Sequence, residues 1–212
     1  ILYPALKRHL GDAHPSAPGQ HRELDGELNQ ITQIEMVNQS PIGKSSRSNP
    51  VTYVKAYDAI RQLMANQQLA RIRGFKPKHF SFNVEAGRCE TCKGEGEQVI
   101  EMQFLADVRL GCEEGKGFRF KPEVLDVRFI DKNIYEILDL SIDEALEFFA
   151  DAKDVVQKIR PLQAVGLGYI KLGQSSSTLS GGEAQRVKLA SFLGKERTKE
   201  KILFLFDEPT TG

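Results

Sequence analysis

Leu179-Ser-Gly-Gly-Glu-Ala-Gln-Arg186, followed after a short basic segment by Ile202-Leu-Phe-Leu-Phe-Asp-Glu-Pro209, decides how this chain is to be read. Ile202 to Phe206 is an unbroken apolar run, β-compatible and too short for a helix, which predicts a parallel strand covered on both faces. Two carboxylates stand at its carboxyl end, where open α/β sheets bind their ligands. Asp207 is placed to hold Mg2+, directly or through water, and Glu208 to orient and deprotonate a water that attacks a phosphoryl group.

Upstream, Ser180 and Glu183 form a capping-box pattern, and Ala184, Val187, Ala190 and Leu193 continue at helical spacing. A helix therefore begins at Gly181 and Gly182, which carry no side chains to shield its first amides. Open N–H groups at the positive end of a helix dipole make an anion site. A well-capped helix after the Ser-rich loop Gln174 to Thr178 would satisfy the first motif alone; both motifs together favour a nucleotide.

The two segments resemble the signature loop and magnesium-binding strand of ABC-type ATPases. Arg88-Cys-Glu-Thr-Cys-Lys-Gly94, Ile100-Glu-Met-Gln-Phe-Leu-Ala-Asp107 and Gly166-Leu-Gly-Tyr-Ile-Lys-Leu-Gly173 narrow the resemblance to the UvrA family, the excinuclease A subunits of bacterial nucleotide excision repair. The similarity runs from about Ile31 to Gly212 and matches the second nucleotide-binding half. It implies an α/β fold, a partial ABC-type P-loop NTPase domain with an inserted α+β zinc-knuckle-like signature module. Residues 1–49 are expected to belong to the nucleotide-binding domain after its phosphate loop, 50–139 to the DNA-binding and zinc-knuckle insert, and 140–212 to the signature and Walker B part.

No Gly-x-x-x-x-Gly-Lys-Ser/Thr loop occurs in the 212 residues. The nearest candidate, Gly43-Lys44-Ser45, has Asn38 at the first glycine position and Pro41 inside the would-be loop, so it reads as a decoy. The resemblance implies a phosphate loop just upstream of the opening helix marked by Leu2, Ala5, Leu6 and Leu10, and a switch histidine beyond the second carboxylate.

With 29 basic and 29 acidic residues the net charge is zero, so nucleic-acid binding has to come from a local patch. Forty per cent hydrophobic residues suffice for one or two cores, and nothing resembles a transmembrane span or signal peptide. The three cysteines favour metal or free thiols over a disulfide framework.

Ile34, Met36 and Val37 predict a strand leading into Gln39, which the resemblance equates with the glutamine loop that touches magnesium and the attacking water. Asn49 and Pro50 read as the cap and first position of a helix with Tyr53, Tyr57, Ile60 and Met64 on one face. Next, Arg71, Arg73, Lys76, Lys78 and His79 lie among Phe75, Phe80 and Phe82. Basic residues interleaved with aromatics grip phosphates, although core phenylalanines in a solvated loop give the same pattern. The resemblance favours DNA contact by Arg71, Arg73 and Lys76.

Cys89-x-x-Cys92, with Gly94 and Gly96, has zinc-knuckle spacing, and Cys112 follows. A structural zinc site wants four ligands, yet Gly115 stands where the family places its fourth cysteine. His79, Glu113 or Glu114, or a water, are the candidates to complete the site, and a metal-free cluster is the other outcome. Beyond it, Ile100, Met102 and Phe104 are expected on one strand face and Leu125, Val127 and Phe129 on another, while Ser141 and Glu144 cap a helix carrying Leu146 and Phe149. The glycines 166, 168 and 173 are too scattered for a dinucleotide fingerprint.

For function, the resemblance implies a cytoplasmic ATPase using ATP, Mg2+ and Zn2+ that recognises damaged duplex DNA as a homodimer and loads the excinuclease B subunit, with no membrane association. Its site residues are Glu208 and Gln39 for catalysis; Ser180, Gly181, Gly182, Glu183, Gln185 and Asp207 for nucleotide and magnesium; and Cys89, Cys92 and Cys112 for zinc. The competing expectation is a transporter-type or regulatory ABC ATPase whose cysteine module docks a protein.

Overall fold

Helix α1 (Leu2–His9) turns Ala5 and Leu6 inward and lies against strand β1 (Gln33–Val37), whose Ile34 and Val37 are buried. The structure is a computed structural model and describes residues 1–13, 15–43, 47–100, 102, 108–194 and 201–208. The decoy residues Lys44 and Ser45 lie outside that set.

Helix α2 (Pro50–Tyr53) starts as expected, with the Asn49 side chain accepting from the Thr52 amide at 3.0 Å and Pro50 in the first turn. The single helix expected from Tyr53 to Met64 is broken, however. Lys55 adopts a left-handed conformation (φ 60°), and the chain restarts as α3 (Ala56–Ala65). Side-chain register does not carry across such a reversal, so Tyr57, Ile60 and Met64 are buried while Tyr53 remains partly exposed. Helix α4 (Gln68–Ile72) and a 3₁₀ turn at Pro77–Phe80 follow.

Strands β2 (Glu97–Ile100) and β3 (Val108–Gly111) pair antiparallel, with Glu97 opposite Gly111 and Ile100 opposite Val108. Met102 falls outside β2, and Phe104 lies outside the described residues. The strand expected at Leu125, Val127 and Phe129 is not formed. Pro122 instead opens helix α5 (Pro122–Leu125), which suits proline's fixed φ, and Val124 and Val127 reach the core at helical i, i+3 spacing. Phe129 makes an isolated backbone bridge to Lys132 and packs its ring on Phe148 and Phe149.

Helices α6 (Ile134–Asp139) and α7 (Ile142–Phe148) each begin on a reciprocal capping box, Asn133 with Glu136 and Ser141 with Glu144. Helix α8 (Lys153–Ala164) packs against α3, α7 and α9 (Gly181–Leu193), and strand β4 (Ile202–Phe206) follows. Leu146 packs at the core's edge and Phe149 inside it.

One apolar cluster runs from Ile42 to Ala190, joining α3, α6, α7, α8 and α9 around Phe80, Phe82, Phe120 and Phe149. The Tyr57 hydroxyl donates to the Phe80 carbonyl at 2.6 Å, and its ring stacks on Phe82 with centroids 5.2 Å apart. Burial pushes the Tyr57 hydroxyl's pKa far up, so it stays a donor.

Strand β4 pairs in parallel with β1, from Gln33 opposite Ile202 to Val37 opposite Phe206. Burial on both faces, expected from its apolar run, is not reached: β4 is half-exposed. Among the described residues β1 is its only strand neighbour, and Phe204 packs edge-on against Phe192 of α9 at 5.3 Å.

Truncating Phe82 to alanine should lower the unfolding free energy by about 3–5 kcal/mol through cavity formation. Tyr57→Phe should cost about 1–3 kcal/mol by leaving the Phe80 carbonyl without its donor. Chemical denaturation measures both, and equal losses would contradict this ranking.

Candidate functional site

Parallel pairing with Val37 opposite Phe206 makes both strands finish at the same end. Asn38–Gln39 and Asp207–Glu208 therefore leave the sheet together, at the edge where α/β proteins hold ligands. The Asp207 amide donates to the Val37 carbonyl at 3.2 Å, and Gln39 Nε2 donates to the Glu208 carbonyl at 3.1 Å. Both acidic residues are exposed, and Glu208 holds a left-handed backbone (φ 49°). Such strain on a non-glycine residue costs on the order of 1–3 kcal/mol and concentrates at functional sites.

Helix α9 points its first turn at the same place. Ser180 Oγ accepts from the Glu183 amide at 3.2 Å, and the Ser180 amide donates to the Glu183 carboxylate at 2.8 Å. The Tyr169 hydroxyl donates to Glu183 at 2.6 Å and, as the largest cause, holds that carboxyl below its usual range. Gly181 lies against Gln39: a Cβ there would sit 2.6 Å from Gln39 Oε1. Only glycine allows that approach without displacing the glutamine.

Gln185 is buried, and its Nε2 donates to the carbonyls of Val37 at 2.8 Å and Asp207 at 3.0 Å. One side-chain amide thus ties α9 to both strand ends. One turn on, Lys188 Nζ donates to the Asn38 carbonyl at 2.9 Å and to Asn38 Oδ1 at 2.6 Å, and burial lowers its pKa. Of the residues expected at nucleotide and magnesium, Gln185 and Glu183 therefore have their polar groups engaged in tying and capping the helix. Ser180, Asp207 and Glu208 are exposed, Gly181 is half-buried and Gly182 is buried beneath it. Lys188 and Tyr169 were missed by the sequence reading, although Lys188 lies three residues from Gln185 and so shares its helix face.

The basic segment divides. Arg73 is held by Asp126 at 2.8 Å and the Glu123 carbonyl at 2.6 Å. Arg71 and Lys76 instead line a common cavity of about 280 Å³ with Gln62, Asn66 and Phe75. Phe80 and Phe82 are core residues, while Phe75 stacks on His79 with centroids 5.0 Å apart.

Cys89, Cys92 and Cys112 meet in a second, separate cluster, with all three Sγ atoms within 4.8 Å of one another. Cys112 follows β3 directly, and its amide donates to the Gly96 carbonyl at 2.9 Å, which draws the hairpin onto the knuckle loop. Cys89 and Cys112 Sγ are 3.8 Å apart. Tetrahedral zinc with bonds of about 2.3 Å separates its sulfurs by about 3.8 Å, so the donor set fits that ion. Burial pushes the Cys89 thiol up, but hydrogen bonds from the backbone at Cys92 and Thr91 together with those from the Cys92 and Cys112 thiols bring the group below the usual thiol range. Among the described residues no His79, Glu113 or Glu114 joins the three; the His79 ring accepts from the Lys76 amide at 2.8 Å.

Replacing Gln185 with leucine should lower stability by about 1–3 kcal/mol, because the Val37 and Asp207 carbonyls lose their donor. Hydrogen exchange should rise at both strand ends. Unchanged protection there would show that the side chain does not tie helix to sheet.

No protein-family model matches the chain. It is 49% identical over 212 residues to the UvrABC system protein A of Clostridium tetani, covering all of this chain and 22% of that protein. The UvrABC system protein A of Methanothermobacter thermautotrophicus is 50% identical over the same length and coverage. The crystal structure of UvrA2 from Deinococcus radiodurans matches with a TM-score of 0.85 and 43% identity, over 100% of this chain and 25% of that one. The chain thus spans about a fifth of the length of the curated relatives it matches. It belongs to the UvrA family and corresponds to one segment of such a protein.

Proposed function

We propose that this chain is a segment, carrying the inserted module and the signature and Walker B part, of an ATP-driven DNA-damage recognition subunit of nucleotide excision repair. The observation that carries the reading is the convergence of Gln39, Gly181 and the Asp207–Glu208 pair at one end of the β1–β4 pair. Glu208 orients the attacking water and takes its proton, and Gln39 positions that water. Asp207 would hold Mg2+, which would supply charge neutralisation for the phosphates. Ser180 and the amides of Gly181 and Gly182 bind the γ-phosphate of an ATP held by the other nucleotide-binding half, aided by the α9 dipole. Glu183 and Gln185 serve by keeping that turn in place.

In this reading residues 1–49 and 140–212 belong to the nucleotide-binding domain and 50–139 to the insert. Closure of two halves over ATP couples to the insert, and Arg71 and Lys76 contact duplex phosphates, with Arg73 braced by Asp126. Damage is read as altered duplex shape and deformability, since diverse lesions share no hydrogen-bond pattern. Homodimers load the B subunit onto the distorted site. Cys89, Cys92 and Cys112 would hold zinc, which would supply a cross-link between the β2–β3 hairpin and the knuckle loop.

In the complete protein, Glu208→Gln should reduce ATP turnover by roughly 100-fold or more while nucleotide binding persists. Undiminished turnover would remove the catalytic assignment. Separately, Arg71→Ala with Lys76→Ala should weaken duplex binding and reduce the salt slope by about one to two units. If DNA affinity and slope stay the same, the module is a protein-docking platform.

A further inference from the structure

Gly115 occupies an unusual place beside the three thiols. An ideal Cβ built on it would lie 3.0 Å from Cys89 Sγ and 3.4 Å from Cys112 Sγ, so position 115 faces the cluster. Its amide already donates to Cys112 Sγ at 3.3 Å, which fixes the backbone there. Glycine nevertheless offers no donor atom on the side where a tetrahedral ion needs its fourth ligand.

Among the described residues no carboxylate joins the three thiols. Glu114 is engaged by the Thr91 hydroxyl, and Glu90 pairs with Lys121 at 2.6 Å. What lies beside Gly115 is a cavity of about 280 Å³, lined by Cys89, Glu90, Glu114, Gly115, Phe120 and Lys121 among others. That volume accommodates several waters or one small ring, since a water needs about 30 Å³. Three thiolates around Zn2+ leave a net negative charge, and Glu90 and Glu114 border the cavity. Electrostatics therefore disfavours an anion and favours a neutral donor.

We propose that zinc bound by Cys89, Cys92 and Cys112 keeps its fourth coordination position open at Gly115 and takes there a neutral exogenous donor from the cavity, water at rest and a nitrogen base such as imidazole by displacement. The centre is thus an exchangeable site and not a closed structural knot. Ligand exchange at this position releases one water for each base bound, with no change in the three sulfur ligands.

Cobalt-substituted full-length protein tests this, because the visible spectrum of Co2+ reports which atoms coordinate it. Titration with imidazole should shift the wild-type spectrum. Gly115→Cys should show a four-thiolate spectrum with no such shift at this site and release zinc to a chelator roughly 10- to 100-fold more slowly. Any other metal centre in the longer protein would respond equally in both proteins and cancels in the comparison. Equal imidazole shifts in the two proteins, no shift in either, or failure of the reduced wild type to bind cobalt at these cysteines would each overturn the proposal. Should Gly115→Cys not fold, Gly115→Ala serves: its methyl covers the open position and should suppress the shift, and a full shift in that variant refutes the idea. None of these readouts depends on ATP turnover.

Discussion

The in-register parallel pairing of β1 with β4 is the constraint on which the candidate site rests. Strands of equal length, paired end to end from Gln33–Ile202 to Val37–Phe206, deliver a glutamine and two carboxylates to one edge from opposite ends of the chain. A shift of a single residue would turn every side chain of one strand to the other face and separate Gln39 from Glu208. Gln185 guards against this by donating to the carbonyl at the end of each strand, which a slipped register could not offer together.

Helix α9 then carries two jobs that conflict in most helices. In the proposed role its first turn presents amides to a phosphate, while the same helix is anchored to the sheet edge. The sequence separates the jobs along the helix axis: Ser180 and Glu183 complete the cap and leave the glycines small, whereas Gln185 and Lys188 bind the sheet edge one and two turns later. Ala184, Val187 and Ala190 seal the opposite side into the apolar core. That core is continuous from α3 through α9 and includes Ala70, with Phe75 packed against it, the neighbours in sequence of Arg71 and Lys76.

The cysteine cluster stands apart from this core and follows different rules. Little apolar area surrounds it, so the β2–β3 hairpin and the knuckle loop depend on backbone hydrogen bonds and on whatever joins the three sulfurs. Ile100, Val108 and Leu110 remain exposed on the hairpin, as expected of a small unit that cannot build a full hydrophobic interior.

Much was readable from the residues alone. Capping boxes at Ser141 and Ser180, the apolar strand runs and the knuckle spacing are local patterns, and local patterns determine local structure. Three features were not accessible that way. The break at Lys55 and the helix at Pro122, where a strand was expected, arise because tertiary burial selects which apolar residues turn inward, and periodicity over a few positions fits more than one arrangement. The tethering roles of Gln185 and Lys188 were hidden because their partners, at Val37, Asp207 and Asn38, lie 148, 22 and 150 positions away. By itself, then, the sequence determined the strands β1 and β4, the helices that open at Asn49, Ser141 and Ser180 with their caps, and the chemical identity of the acidic pair and the three thiols. Only the tertiary structure decided which of those groups meet, since a side-chain hydrogen bond or a sulfur triad forms by proximity in space, and proximity between distant segments is set by the packing of the whole core.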